Sequence, residues 1–309
     1  MRVLKWIGYI ALALIAASIP AYWWLFMQSH VPSAGRYSLD IATIRRLGDS
    51  IAGDRPEEIR VETVAHFSPP QAIVVAGDGW QSADLPVSAY EVVYPHDRII
   101  IDTAFDAVVA QQMEAGSFDS TAFEHVSNAL AMAGLIIITH EHPDHAAGLL
   151  SQPNLKSLLG STRLTDVQVA ELKKAFPKPP LAKLKLNAAI FNDYRPVAYE
   201  RYQAVAPGVV LIKAPGHTPG SQMVYVRLAD GREILFLGDV AWEMRNVDTV
   251  RERARLVTWL TGEDRDAVLR ELAELNRLHH AEPHLNMMPG HDPGVLASFL
   301  QAGLLTKGF

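Results

Sequence analysis

The chain has 309 residues, 49% of them hydrophobic and 20% charged, enough for one large core or two small ones and too apolar for intrinsic disorder. A net charge of −6 argues against a nucleic-acid partner, which needs a concentrated positive surface. The absence of cysteine excludes disulfides, thiolate metal sites and a cysteine nucleophile.

The first element is apolar. Residues 6–26 carry no charge, and 21 residues at ~1.5 Å each reach roughly 31 Å, about the thickness of a hydrocarbon core. Trp6 and Tyr9 crowd one end, and Tyr22, Trp23, Trp24 and Phe26 the other, as in the aromatic belts of a spanning helix. A cleaved signal peptide would share the basic start of Arg2 and Lys5, but this run is longer than a signal core and lacks a small-x-small site at its end. Residues 1–28 are therefore expected to form an uncleaved single-pass anchor in membrane lipid. Arg2 and Lys5 favour a cytoplasmic N-terminus and a main domain outside the cytoplasm, with Arg36, Arg45 and Arg46 pulling the other way.

Residues 29–60 read as a polar connector with one helical stretch at 39–51. One domain is expected over 61–309. Short runs rich in Val, Ile and aromatics predict strands at 72–75, 90–94, 98–102, 135–139, 209–214, 223–228 and 234–237. Helical patterns lie at 103–115, 120–133, 167–176 and 264–280. Strands that come first and then mix with helices indicate a layered α/β sandwich. Residues 161–202, with five lysines broken by Pro177, Pro179 and Pro180, read as an inserted cap whose Leu181, Leu184, Leu186, Ile190 and Phe191 could receive an apolar substrate chain.

The chemistry concentrates after the strand at 135–139. His140, His142, Asp144 and His145 put four metal-capable side chains within six residues, enough to hold two cations close together. His217, Asp239 and His291 follow in glycine-bearing turns after later strands, where a tight bend can turn one side chain into a cleft. His30, His66, His96, His125, His279, His280 and His284 have no matched partners and read as structural or exposed.

This HxHxDH string, with the downstream His, Asp and His in order, resembles the metallo-β-lactamase fold superfamily of hydrolases. The resemblance covers most of the chain from about Val61 onward and implies a four-layer αβ/βα sandwich behind the N-terminal transmembrane helix. It further implies that His140, His142 and His217 hold one divalent ion and Asp144, His145 and His291 a second. Asp239 would bridge them, and Asp102 would orient the ligands from behind. Zinc suits these donors best, and iron or manganese would be accepted. The implied reaction is hydrolysis by a hydroxide held between the metals, with Asp144 and Asp239 as the catalytic carboxylates.

Family branches can be weighed on single residues. His142 stands where flavin-linked di-iron members have Glu. A bridging Asp239 without cysteine disfavours a β-lactamase. The stretch from Ala214 to Ser221, with Asp239 22 residues after His217, most resembles N-acyl homoserine lactonases. Two features depart from them: Trp242 replaces a tyrosine three residues after the bridging aspartate, and Ala146 and Ala147 replace a glycine pair. The expected activity is ester or lactone hydrolysis of a small, lipophilic substrate. A thioesterase of the glyoxalase II type, a phosphodiesterase, a β-lactamase and a mononuclear-iron sulfur dioxygenase remain alternatives.

Overall fold

A computed structural model describes residues 2–29 and 35–309; Met1 and His30 lie outside the described residues. In chain order the strands are β1 (Glu58–Phe67), β2 (Leu85–Val93), β3 (Arg98–Ile101), β4 (Ser117–Phe118), β5 (Leu135–Ile137), β6 (Thr162–Arg163), β7 (Tyr202–Ala206), β8 (Val209–Lys213), β9 (Gln222–Arg227), β10 (Glu233–Gly238), β11 (Leu285–Pro289) and β12 (Thr306–Lys307). One sheet runs β12-β1-β2-β3-β5-β6, with β4 also on β1; the other runs β11-β10-β9-β8-β7.

Alternation along the strands makes the layers. Ile59, Val61, Tyr90, Val92, Ile99, Ile101 and Ile137 of the first sheet face Val209, Leu211, Val224, Val226, Ile234 and Phe236 of the second in one buried cluster. The other faces of the same strands pack on helices. Ile100, Ile136 and Ile138 meet Val109, Val126, Leu130 and Leu149 on one side, and Ile212, Tyr225 and Leu235 meet Ile44, Val268, Leu272 and Leu275 on the other. Helix, sheet, sheet and helix are thus stacked in four layers, as the resemblance implied.

Several expectations need correction. Residues 72–75 are not a strand: Gln71–Val74 is a short helix opened by Pro70. A four-residue apolar run has no period to decide its type, and burial of Val74 and Val75 beside Ala83 and Leu85 suits a turn of helix equally well. The helix expected at 103–115 spans only Ala107–Gln112, because Asp102 and Ala104 take left-handed backbone conformations that break it. The long first strand β1 has no counterpart among the expected strands, since its pattern lacks strict alternation. The segment 161–202 opens with β6 inside the first sheet. Leu181 and Phe191 are buried in the core of that layer, with Leu184, Leu186 and Ile190 packed against it, so these five are not a free wall for a substrate chain.

The helix Arg2–Tyr22 continues as a wider turn over Trp23–Met27. Lys5–Met27 has a mean hydropathy of 1.8, is long enough to cross a membrane and lies outside the packed core.

Candidate active site

Strands β3, β5, β8, β10 and β11 deliver the site. β3 and β5 are parallel, β8 and β10 are each antiparallel to β9, and β10 and β11 are parallel. Their carboxyl ends therefore open towards one edge of the sandwich, where the loops carry Asp102, His140, His142, His217, Asp239 and His291, and the first turn of the helix Pro143–Leu150 carries Asp144 and His145.

The structure brings all seven sequence-predicted ligands together. His140, His142, His217 and Asp239 form one group and Asp144, His145, Asp239 and His291 another, each with donor atoms within 4.8 Å of one another. Asp239 belongs to both and divides its oxygens. Its Oδ2 lies 3.3 Å from His217 Nε2 and 3.7 Å from His140 Nε2, while its Oδ1 lies 3.2 Å from both His145 Nε2 and His291 Nε2. Asp144 Oδ2 is 3.6 Å from His291 Nε2 and 3.7 Å from His145 Nε2. Two ligands at about 2.1 Å in a tetrahedral zinc sphere lie roughly 3.4 Å apart, so these spacings fit.

A second observation fits a cation at each group. His140 Nε2, His145 Nε2 and Asp239 Oδ1 are fully buried without a hydrogen-bond partner. A buried polar atom left unpaired is costly; an ion held by the first group would satisfy His140 Nε2, and one held by the second would satisfy His145 Nε2 and Asp239 Oδ1. The charge balance differs between the two groups. Burial, then the charge of His145, pushes the His140 imidazole well below its usual range. Burial and then His217 push His142 down to about 4. Neutral imidazole is the form that binds a metal. Burial alone would lower His145, but Asp102, Asp239 and Asp144 outweigh it and hold the ring well above its usual value.

The far side of most rings is tied down. His145 Nδ1 lies 2.8 Å from Asp102 Oδ2, and Asp102 also accepts from Thr139 N at 2.7 Å and Thr139 Oγ1 at 2.8 Å. His291 Nδ1 is 2.9 Å from the Pro86 carbonyl. His217 Nδ1 is 2.8 Å from Glu263 Oε2. These contacts fix each ring's tautomer and aim. Asp102 does this from a left-handed backbone, φ 57°, the kind of local strain that packed surroundings must hold in place.

Glu263 and its partner Arg253 were missed in the sequence. Arg253 is 1% exposed, forms an ion pair with Glu263 and lies 5.1 Å beneath the Trp242 ring. Trp242 in turn donates Nε1–H to Asp239 Oδ2 at 2.7 Å. The indole is therefore spent on the shared aspartate. A Glu beside a helix start carries no sequence signal that it will reach a histidine 46 positions away.

Asp292, next to His291, caps a helix: its Oδ1 accepts from Gly294 N and Val295 N. His66 and His125 pair with Asp84 and Glu62. With His96, His279, His280 and His284 they stay outside both metal-capable groups among the described residues.

Above the ligands lies a cavity of about 600 Å³. His142, Asp144, His217, Asp239 and His291 form its floor, and Phe67, Ile73, Leu85, Met113, Pro180 and Trp242 give it an apolar wall. Of the segment 161–202, Pro180 reaches it.

A family model described as the metallo-beta-lactamase superfamily matches residues 83–291. The N-acyl homoserine lactonase AttM of Agrobacterium fabrum is 27% identical over 188 residues, 54% of this chain and 61% of AttM, so the match spans under two thirds of that relative. A quorum-quenching N-acyl homoserine lactone lactonase of known structure superposes with a TM-score of 0.60 at 17% identity, over 80% of this chain and 97% of the other. An N-acyl homoserine lactone hydrolase solved with N-hexanoyl-L-homoserine at its catalytic metal centre superposes at 0.58 with 18% identity, over 79% and 96%. At such identities these two likenesses speak for the fold.

Proposed function

The chain belongs to the metallo-β-lactamase superfamily, and we propose that within it this protein is a membrane-anchored, dinuclear hydrolase of esters or lactones carrying an apolar chain. The observation that carries the two-metal reading is Asp239, which offers one oxygen to each group of histidines. His140, His142 and His217 would hold one divalent ion, and Asp144, His145 and His291 the other, most suitably zinc. When bound, such ions supply Lewis acidity and bring the pKa of water towards neutrality.

The chain's own groups do the rest. Asp239 fixes the separation of the two halves, and Trp242 holds its carboxylate by a hydrogen bond. Asp144, 14% exposed, lies on the cavity floor, so its carboxylate can take the proton of the attacking water and return it to the leaving oxygen. Phe67, Ile73, Leu85 and Met113 would receive the acyl chain and exclude water, each buried CH₂ contributing about 0.8 kcal/mol.

Support for a lactone comes from the lactonase relative and from the apolar wall. The domain reading follows from the sequence: anchor 1–28, connector 29–60 and catalytic domain 61–309, with the domain outside the cytoplasm. The test is kcat/KM for short- and long-chain acyl homoserine lactones beside a thioester, a phosphodiester and a β-lactam. The expected result is highest activity on the long-chain lactone, gained mostly through KM because chain burial is similar in ground and transition states. Preference for the phosphodiester or the β-lactam would overturn the substrate and leave the metal site standing.

A further inference from the structure

The apolar N-terminal helix does not leave the domain at an arbitrary point. Trp80 Nε1 donates to Tyr22 Oη at 2.8 Å, and its ring packs edge-on to Phe26 at 5.1 Å. Gly77 N donates to the Phe26 carbonyl at 2.8 Å. The Arg255 guanidinium lies 4.5 Å over the Trp24 ring and donates to Gln28 Oε1 at 3.1 Å, and Ser29 Oγ donates to Glu252 Oε2 at 2.6 Å. Two segments of the domain, 71–80 and 251–261, therefore grip the end of the helix.

Those same segments carry an exposed apolar surface. Beyond the N-terminal helix, the large apolar side chains that stand exposed among the described residues are Trp80, Val108, Met132, Trp259 and Leu260. Three of the five belong to the gripping segments, and Trp259 and Leu260, 75% and 72% exposed, are adjacent on the helix Arg255–Thr261. Tryptophan next to leucine on a helix flanked by arginine is the composition of a surface that lies in a bilayer interface. The two segments also reach the active-site cavity, through Ile73 and Thr261.

We infer that Trp259 and Leu260, with Trp80, form a lip that inserts into the headgroup–acyl boundary of the bilayer holding the N-terminal helix, so that the active-site cavity opens at the membrane surface. The inference rests on the membrane-anchored reading of the protein. The occupant is lipid, because the lip is continuous, through the Tyr22, Phe26 and Trp80 cluster, with a helix that carries no charge over residues 6–26. An enzyme so placed meets its apolar substrate where that substrate is concentrated, next to the wall that receives the chain.

The chain has no cysteine, so single labels are clean. Leu260→Cys, Ile15→Cys and Met132→Cys, each made in the full chain, would carry an environment-sensitive fluorophore in phosphatidylcholine–phosphatidylglycerol vesicles containing lipids with quenchers at known depths. The expected result is strong quenching at position 260 by shallow quenchers, at position 15 by deep ones, and none at position 132. Quenching at 15 with a water-exposed label at 260 would overturn the lip and leave the anchor intact. A label at 260 that is shielded from aqueous iodide yet out of reach of lipid quenchers would show a protein contact there and also overturn it. No quenching at 15 would overturn the anchor, and the lip with it.

Discussion

Around the metal-capable groups, single residues hold the arrangement. Glu263 is the most consequential of those outside the seven, because it serves His217 and Arg253 at once and both are buried. Removing its charge leaves the Arg253 guanidinium without its partner, a loss of about 3–5 kcal/mol for a buried pair, and frees the His217 ring to turn. Glu263→Gln is expected to weaken metal binding by roughly 10–100-fold, read by competition with a chromogenic chelator; unchanged affinity in a folded variant would show that His217 needs no such support. Glu271 gives a pH-dependent counterpart. Burial, and then the neighbouring Glu263, push its carboxyl up to about 8, and its Oε2 has no partner, as suits a protonated acid. Since the unfolded chain would ionise it near 4.5, the native state binds the extra proton between those values. Its contribution is complete below pH 4.5 and is lost as pH rises through about 8. Glu271→Gln is expected to flatten the fall in melting temperature between pH 5 and pH 8.5, in thermal scans with all other conditions fixed. A variant with the same slope as the parent would place the acid elsewhere.

At the scale of elements, the site depends on how closely the loop 102–105 meets the helix Pro143–Leu150. Thr103 N and Oγ1 both donate to the His145 carbonyl, at 2.8 and 2.9 Å, and Gly148 N donates to the Ala104 carbonyl at 2.8 Å. A Cβ on Gly148 would overlap the Thr103 carbonyl, which no rotamer change can relieve. Gly148→Ala should therefore destabilise the fold by about 1–3 kcal/mol as overpacking does and displace Asp102 from His145. Denaturant unfolding checks the first, and a loss confined to one of the two metals checks the second. Unchanged stability would mean that the loop and helix are free to part. A Cβ on Gly290 would similarly overlap the Asp239 carboxylate, which explains why the turn before His291 carries glycine. These close approaches are invisible in the sequence. The HxHxDH string is local, and its meaning survives reading in one dimension. The Thr103–His145 clamp, the Arg253–Glu263 pair and the wall of Phe67, Ile73 and Met113 come from segments that only folding brings near. The run at 72–75 failed as a strand for a related reason, since burial alone decides the conformation of so short a piece.

For the whole molecule, strand-length apolar runs indicated a layered α/β fold, and the order of the histidines, through the resemblance it carries, gave the four layers. Strands β1, β7 and β12 escaped because they lie at or near sheet edges or lack a clean period. The cap reading of 161–202 mistook core residues for a wall: Leu181 and Phe191 face inward, which lysines and prolines around them conceal. What integrates all scales is Asp239, placed by β10 of one sheet against histidines from loops of both. The most direct test is elemental analysis of the full chain purified in detergent with excess metal removed. About two divalent ions per chain are expected, with His217→Ala losing one and His291→Ala the other. A fully active protein holding no more than one ion would contradict the bridging role of Asp239 and the two-metal site built on it.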